Sequence, residues 1–306
     1  MNHPLQAFRW RALNALHPAT RWFWKVGRER IAINFYGEGE ALTRFLLEED
    51  GTTAVLAAIH VIVGGERPEL PPRGQVKVLG AEDWVTVYDP STDEAYVWLA
   101  SLEGADAWGP ETPLHVPMGW IAEQHGYALA HAAAFGVDGK VALIVGPPGA
   151  GKSTLAVRAA MLGFEYYGDD RVLVEADGRF AHAVFSSAKC FVSDITPAHG
   201  KYGTGMVVRD KAILEIPTCQ KRGVVCAVVA PIRRPDRLPD LHCAILWDSS
   251  AACALRALAP SSMLQLPGLG KRSMSAFTKV VQGATPFTLS WGSDVDLAID
   301  RIARLF

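Results

Sequence analysis

Apolar and polar positions form a mixed pattern between Ile31 and Trp98. Short apolar runs are separated by polar or Gly- and Pro-rich turns, and one stretch, Glu38–Glu49, has helical spacing. This pattern predicts a small α+β domain over residues 31–116. Its predicted strands are Ile31–Tyr36, Ala54–Val63, Val76–Leu79, Trp84–Tyr88 and Ala95–Leu99.

Residues 1–30 form a basic, aromatic amino-terminal segment. Its apolar residues recur at helical spacing as far as Pro18, at Leu5, Phe8, Ala12, Leu13 and Leu16. Such a segment either lies on a membrane surface or a partner, or docks on its own domain. We favour docking, because aromatic-rich termini more often pack on the domain they belong to.

The region from Glu103 to Pro117 is rich in Gly and Pro, so the sequence predicts a domain boundary there and a second domain over residues 117–306. A helix is predicted at Met118–His125, and Asp138-Gly139 is predicted to form a hairpin turn. Lys271–Val281 and Asp294–Phe306 are predicted to be closing helices. Further strands are predicted at Tyr127–Phe135, Val141–Val145, Phe164–Tyr167, Arg171–Glu175, Arg179–Val184, Ala212–Ile216, Val224–Val229 and Leu241–Trp247.

A glycine-rich motif stands in the middle of this second domain. The apolar run Val141–Val145 leads into Gly146–Ser153, which satisfies G-x-x-x-x-G-K-[ST], and a helical apolar pattern follows. Such a loop wraps backbone N–H groups around phosphates, its Lys reaches the β- and γ-phosphates, and its Ser hydroxyl binds Mg²⁺. The sequence thus predicts ATP and Mg²⁺ as cofactors, bound by Gly146, Gly149, Ala150, Gly151, Lys152, Ser153 and Thr154.

Carboxylates distinguish the classes of protein that carry this motif. Asp169 and Asp170 follow a short predicted strand, and two adjacent carboxylates repel each other unless a cation such as Mg²⁺ lies between them. One would hold the metal and the other would accept a hydroxyl proton; alternatively, the pair is a plain loop. Asp248 ends another apolar run and is a competing candidate. The chain has no N-K-x-D guanine motif and no L-S-G-G-Q signature.

These residues together resemble the catalytic domain of the HPr kinase/phosphorylase family, and more closely its relatives in peptide-biosynthesis gene clusters, including lasso-peptide kinases. The resemblance is carried by His131, the loop Gly146–Ser153, Gly163, Gly168–Val172 and Ser187–Lys189. It implies an α/β fold with a P-loop core of the phosphoenolpyruvate-carboxykinase type.

The resemblance also implies roles for single residues. Lys152 matches the phosphate-binding lysine, Ser153 the magnesium-binding serine and Asp170 the acid/base aspartate. His131 matches the histidine that precedes the loop, and Asp169 the neighbouring aspartate, a second metal-ligand candidate. Arg233 is a weaker match to a phosphate-contacting arginine, for which Arg234 and Arg237 are alternatives. The family's Glu-Ile-Arg-Gly-Leu-Gly signature is missing at Ser193–Thr196, so nothing assigns HPr as the substrate.

Composition and charge limit the kinds of partner that we expect the protein to bind. The 306 residues carry a net charge of −2 without a long basic run, so no nucleic-acid partner is expected. The five cysteines show no metal-binding spacing. No apolar run approaches the roughly 18 residues of a membrane span, so we expect a cytoplasmic protein without a membrane span. The family resemblance allows a homo-oligomer.

The sequence therefore predicts an HPr-kinase-like serine kinase. It would transfer the γ-phosphoryl group of ATP to a hydroxyl of a peptide or protein serine, or of a small serine-like molecule. Two alternatives remain. One is a nucleotide-binding regulatory or assembly protein without phosphotransfer, and the other is a P-loop ATPase that uses Asp248.

Overall fold

The computed structural model divides the chain into two compact units. The first comprises Met1–His125 and Leu266–Gly268, and the second comprises Gly126–Gln265 and Leu269–Phe306. The structure describes residues 20–37, 39–47, 54–70, 76–103, 109, 111–192, 202–208, 210–218, 222–233 and 244–306.

The first unit is built on one mixed sheet. Its described strands are ordered β1-β2-β3-β6-β5-β4, with β2, β3 and β6 parallel and the other pairs antiparallel. A helix, α1 (His115–Gln124), is buried along most of its length. The strands are β1 (Thr20–Val26), β2 (Glu29–Tyr36), β3 (Val55–Val63), β4 (Lys77–Gly80), β5 (Trp84–Asp89) and β6 (Glu94–Leu99).

Two features of this unit differ from the sequence-based expectation. Of the helix expected at Glu38–Glu49, the structure describes residues 39–47. They form a short 3₁₀ helix, Glu40–Thr43, followed by Phe45, Leu46 and Leu47, which are all buried. Three consecutive buried residues do not fit the single apolar stripe of a surface helix. Residues 20–30 form β1 and the start of β2, with Trp24 fully buried, whereas residues 1–19 lie outside the described residues.

The first unit extends to His125, nine residues past the expected boundary at residue 116. Contacts of α1 explain the difference. The Trp120 indole donates a hydrogen bond to the Pro267 carbonyl at 2.7 Å, and Lys77 pairs with Glu123 at 3.1 Å. These contacts hold the helix and the segment Leu266–Gly268 in the first unit.

The second unit contains a large mixed sheet and a small antiparallel one. In the large sheet the order is β10-β8-β9-β16-β12-β11-β7, and β16 also pairs with β18, which pairs with β17; the small sheet is ordered β13-β15-β14. The strands of the large sheet are β7 (Tyr127–Ala130), β8 (Ala132–Val137), β9 (Lys140–Val145), β10 (Glu165–Gly168), β11 (Val172–Glu175), β12 (Phe180–His182), β16 (Gly223–Arg233), β17 (Ala244–Asp248) and β18 (Thr285–Trp291). Those of the small sheet are β13 (Ser187–Phe191), β14 (Gly203–Val208) and β15 (Lys211–Glu215).

Helices cover both faces of the large sheet. They are α2 (Lys152–Met161), α3 (Ala251–Gln265), α4 (Lys271–Gly283) and α5 (Val295–Ala303). Alternate residues of β9 enter different cores: Leu143 packs in the cluster that holds α3 and α4, and Ile144 in the cluster that holds α2 and α5. A strand buried on both faces must be apolar at nearly every position, which explains the continuous run Val141–Val145.

The parallel pairing of three central strands positions the site. Strands β9 and β18 both run parallel to β16, so their carboxyl ends meet at one edge of the sheet. The glycine-rich loop, Arg233 and Trp291 all lie at this edge. The hairpin predicted at Asp138-Gly139 is confirmed, since both residues have positive φ between paired Val137 and Lys140.

The molecule is thus a mixed α/β protein with several sheets. Within the described stretches, no helix has the length and apolar character needed to cross a membrane. Helix α3 and strands β1, β13, β14 and β18 were not predicted from the sequence.

Candidate functional site

The glycine-rich loop connects β9 to α2 and requires glycine at its last position. Gly151 has φ of 96°, in the left-handed region, and a Cβ there would lie 2.4 Å from Cζ2 of Trp291. Gly149 also has positive φ, 82°. Glycine therefore lets the loop turn sharply against Trp291 before α2 begins at Lys152, the arrangement that directs backbone N–H groups toward an anion.

Lys152 is buried at the start of α2 and is held by the loop itself. Its ammonium group donates hydrogen bonds to the carbonyls of Gly146 at 2.8 Å and Pro147 at 3.2 Å. Burial lowers the pKa of Lys152, and the negative charges of Asp169 and Asp170 oppose this shift. A buried cation between a glycine-rich loop and two carboxylates is well placed to bind an anionic ligand.

Asp169 is a buried carboxylate next to Ser153. Its Oδ2 accepts a hydrogen bond from the Lys189 backbone N–H at 3.2 Å, whereas its buried Oδ1 has no hydrogen-bond partner among the described residues. Burial and the charge of Asp170 raise the pKa of Asp169, and the Lys189 amide and the Ser153 hydroxyl partly offset this rise. An orphaned carboxylate oxygen beside a hydroxyl fits Mg²⁺, which prefers oxygen ligands and retains waters.

The Asp170 carboxylate contacts two basic side chains. Its Oδ1 lies 3.1 Å from His131 Nδ1, and its Oδ2 lies 2.9 Å from Arg171 Nη1. Burial alone would raise the pKa of Asp170, but the charge of Arg171 and the hydrogen bond from His131 outweigh it and hold the pKa well below its usual range. The backbone of Asp170 is left-handed, with φ of 66°, a conformation that costs a non-glycine residue energy and clusters at functional sites.

Two residues to which the sequence assigned no role complete this network. Arg171 is buried, and its Nη1 lies 2.9 Å from His131 Nδ1 and 3.4 Å from Gln265 Oε1. Gln265 Nε2 lies 3.3 Å from His131 Nε2. His131 Nδ1 either donates to Asp170 or accepts from Arg171, depending on its tautomer.

The C-terminal half of α3 also fixes the backbone of His131, because the Ser262 hydroxyl accepts its N–H at 2.9 Å. Ser262 and Gln265 lie three positions apart, on one face of α3. Reading Ala251–Gln265 as a helix despite Pro260 would have been the signal for both residues.

A pocket of about 270 Å³ brings these groups together. Of the sequence-predicted residues, Gly146, Ala150 and Asp169 do not line it, and neither does Asp248. Arg234, Arg237 and the stretch Ser193–Thr196 lie outside the described residues. The lining residues are His131, Pro148, Gly149, Gly151, Lys152, Ser153, Thr154, Asp170, Lys189, Cys190, Phe191, Lys211, Arg233 and Gln265.

Arg233 ends β16 and lies over the Trp291 ring, 5.4 Å from its centroid. Asp248, in contrast, is exposed on the edge strand β17. Strand β17 runs antiparallel to β18, and Ala244, not Asp248, pairs with Trp291 at the edge where the loop lies. Asp248 is four positions further along β17 than Ala244, which corresponds to about 13 Å at the usual rise per residue.

The fold and the site define a mixed α/β protein with a candidate anion and metal site at one sheet edge. No family model matches the chain, and no curated protein matches it. Among solved structures, the chain is similar to the HPr(Ser) kinase/phosphatase from Coxiella burnetii, with a TM-score of 0.29 and 14% sequence identity. The match covers 58% of this chain and 96% of that chain.

Proposed function

We propose that the protein is an ATP- and Mg²⁺-dependent kinase that transfers the γ-phosphoryl group to a hydroxyl of a peptide serine or a small serine-like molecule. One observation carries the proposal: the glycine loop, Lys152, Ser153 and Asp170 line a single pocket. Next to Ser153 lies Asp169, whose buried Oδ1 has no hydrogen-bond partner among the described residues. Phosphoryl transfer needs mainly positioning and charge neutralisation, and these groups supply both.

Each group has a distinct role in this proposal. The loop amides and Lys152 bind the β- and γ-phosphates. Ser153 and Asp169 would hold Mg²⁺, which when bound neutralises charge on the transferring group. Arg233, at the end of β16, offers a further positive charge to the phosphates.

Asp170 orients the acceptor hydroxyl by accepting its hydrogen bond. The acceptor oxygen forms a bond to the γ-phosphorus as the bond from that phosphorus to the β–γ bridging oxygen breaks, and ADP leaves. The proton of the hydroxyl passes to Asp170. Because Arg171 and His131 hold the pKa of Asp170 low, this proton moves late, after the hydroxyl has become strongly acidic.

Phosphoryl transfer is tested with γ-³²P-ATP by measuring where the labelled phosphate ends up. With Mg²⁺ and candidate peptides or serine derivatives, we expect label on the acceptor, and none with Lys152→Ala. Label only in free phosphate would instead support an ATPase, and label that stays on ATP would support a binding protein without phosphotransfer. An ATPase that depends on Asp248 is disfavoured, because that carboxylate is exposed and does not line the pocket.

Nucleotide binding is tested separately by thermal unfolding. A ligand that binds only the native state stabilises it by about 2.7 kcal/mol at a hundredfold excess over its Kd. We therefore expect ATP with Mg²⁺ to raise the melting temperature of the protein and to leave that of Lys152→Ala unchanged. An equal rise in both would contradict nucleotide binding at this loop.

A further inference from the structure

The side chain of Gln265, the last residue of α3, contacts both His131 and Arg171. Its Nε2 lies 3.3 Å from His131 Nε2, and its Oε1 lies 3.4 Å from Arg171 Nη1. His131 in turn contacts Asp170, which lines the pocket. The direction of the hydrogen bond between Gln265 and His131 therefore determines what His131 can offer to Asp170.

Arg171 fixes the orientation of the Gln265 amide. A guanidinium group has donors only, so the part of the amide that faces it has to be the oxygen. Turning the amide over would bring its NH₂ group against Arg171 Nη1, and two donors would then meet at a buried side chain. The NH₂ group of Gln265 is therefore the part that faces His131 Nε2.

The orientation of the amide selects the tautomer of His131. An NH₂ group only donates here, so Nε2 of the neutral imidazole has to accept, and the ring proton is then on Nδ1. Nδ1 lies 3.1 Å from Asp170 Oδ1 and donates to it. In the other tautomer, Nε2–H would face the amide NH₂ group, and the buried ring of His131 would lose both of these hydrogen bonds.

The contact between Arg171 Nη1 and His131 Nδ1, at 2.9 Å, favours the opposite tautomer, in which Nδ1 accepts. Nη1, however, carries only two hydrogens, and Asp170 offers an acceptor to each of them. The Asp170 carbonyl lies 2.7 Å from Nη1, and the charged Oδ2 lies 2.9 Å from it. Arg171 therefore has its acceptors on Asp170 and does not need Nδ1 of His131 as a third one.

We infer that Gln265 holds His131 as the tautomer that carries its proton on Nδ1, so that His131 donates to Asp170 and fixes the direction of its carboxylate. Gln265 is thus a positioning residue that acts on Asp170 through His131. The tautomer follows from the contacts alone, whereas its effect on phosphoryl transfer rests on the proposed function. With one oxygen held by His131 and the other by Arg171, the carboxylate keeps lone pairs for an acceptor hydroxyl.

The tautomer is measured by NMR on the full-length protein with ¹⁵N-labelled histidine, at about pH 8.5, above the ordinary pKa of histidine. Two-bond couplings between ring nitrogens and ring hydrogens show which nitrogen carries the proton. The signals of His131 are identified as those missing from the spectrum of His131→Asn. We expect the proton on Nδ1, and a proton on Nε2 or on both nitrogens would overturn the inference before any variant of Gln265 is made.

Variants assign the tautomer to Gln265. Gln265→Glu presents only acceptors to His131, so Nε2 should gain a proton. Gln265→Met keeps the length but cannot donate, so the ratio of the Nδ1–H to the Nε2–H tautomer should fall about fivefold, the effect of one hydrogen bond. Leu264→Ala, at a neighbour that is 80% exposed and outside the pocket, should keep the ratio of the unmodified protein. A bare Nε2 in Gln265→Glu would mean that another group selects the tautomer.

Transfer of labelled phosphate separates this inference from the proposed function. The probes are N-acetyl-L-serine and N-acetyl-L-serinamide, with γ-³²P-ATP and Mg²⁺ at saturation. Single-turnover transfer should be slower in Gln265→Glu by about tenfold or more, because a wrong histidine tautomer impairs proton transfer, and it should be unchanged in Leu264→Ala. Melting temperatures establish that each variant is folded.

The two proposals fail differently. A proton on Nδ1 that moves in Gln265→Glu, without transfer to either serine probe in any protein, would uphold the role of Gln265 toward His131 and contradict the kinase. Unchanged transfer in a Gln265→Glu protein whose proton has moved would uphold the kinase and overturn the positioning role.

Discussion

At the scale of single residues, Asp170 is the most informative position. Its left-handed backbone and its contacts with His131 and Arg171 hold the carboxylate ionised at one spot of the pocket. Asp170→Asn keeps the size but cannot take a proton, so we expect ATP affinity to survive while transfer falls by roughly 10²–10⁴. Single-turnover transfer and nucleotide titrations measure the two effects separately.

The same variant leaves Arg171 without its carboxylate, so the free energy of unfolding should also fall by about 1–3 kcal/mol. Transfer is therefore measured well below the melting temperature. Asp248→Asn is the control, because Asp248 is exposed and outside the pocket. A variant at Asp248 that is inactive, together with an active Asp170→Asn, would reject the role of Asp170 and restore the ATPase alternative.

Asp169 should act through charge and metal binding rather than through proton transfer. Burial and the charge of Asp170 raise its pKa, so the ionised carboxylate is unfavourable in the ligand-free protein at neutral pH. Stability from a group with a raised pKa is present at low pH and is lost as the pH rises through its folded pKa. Asp169→Asn removes this cost, and we expect a higher melting temperature without Mg²⁺ at pH 7.

In the same variant the response of nucleotide affinity to Mg²⁺ should weaken, because the buried oxygen that fits the metal has been replaced. Titration of AMP-PNP with and without Mg²⁺ measures this response. An undiminished Mg²⁺ response in Asp169→Asn would place the metal elsewhere.

At the scale of elements, the loop before α2 depends on a close approach to Trp291. Gly151→Ala adds a Cβ 2.4 Å from that ring and keeps a positive φ of 96°, so the loop must shift. Gly163→Ala is a matched control at the other end of α2, with φ of 91° and no neighbouring atom within 4 Å. Both variants bear the left-handed strain of about 1–2 kcal/mol.

Only Gly151→Ala should lose nucleotide affinity, by tenfold or more, in a titration with a fluorescent ATP analogue. Equal affinity of the two variants would show that the loop tolerates the shift and that its amides are not the binding groups.

Helix α3 offers a second matched pair at this scale. Ser262→Ala leaves the His131 N–H buried without an acceptor, which should lower the free energy of unfolding by about 1–3 kcal/mol. Ser261→Ala removes a buried hydroxyl that has no hydrogen-bond partner in the described part of the chain and should cost nothing or stabilise. Urea unfolding measures the free energy of unfolding of both variants. Similar losses in the two would mean that the hydrogen bond between Ser262 and His131 is not specifically stabilising.

At the scale of the whole molecule, every residue assigned to the nucleotide lies in the second unit. A chain that begins at Gly126 should therefore still show a rise in melting temperature with ATP and Mg²⁺, and the rise should vanish with Lys152→Ala in that shorter chain. A folded short chain that does not respond to nucleotide would mean that the first unit contributes to the site.

Local sequence determined the strand, loop and helix that form the candidate site. Strand β9 is buried on both faces and therefore has a continuous apolar run. The glycines of the loop are required by its backbone geometry. Both features can therefore be recognised in consecutive residues of the sequence. The hairpin at Asp138-Gly139 was predictable for the same reason. For most strands the predicted ends lie within a few residues of the observed ends, because alternation of apolar residues is also a local signal.

Tertiary structure alone decided which distant side chains meet. Arg171 and Gln265 contact His131 from positions 40 and 134 residues away, and no local pattern encodes such a meeting. Lys189 and Phe191 line the pocket from β13, whose five residues carry no apolar alternation that distinguishes them from a loop. Charge, burial and register became informative about these residues only once the sheets had brought them to one pocket, because electrostatic interactions act through space and not along the chain.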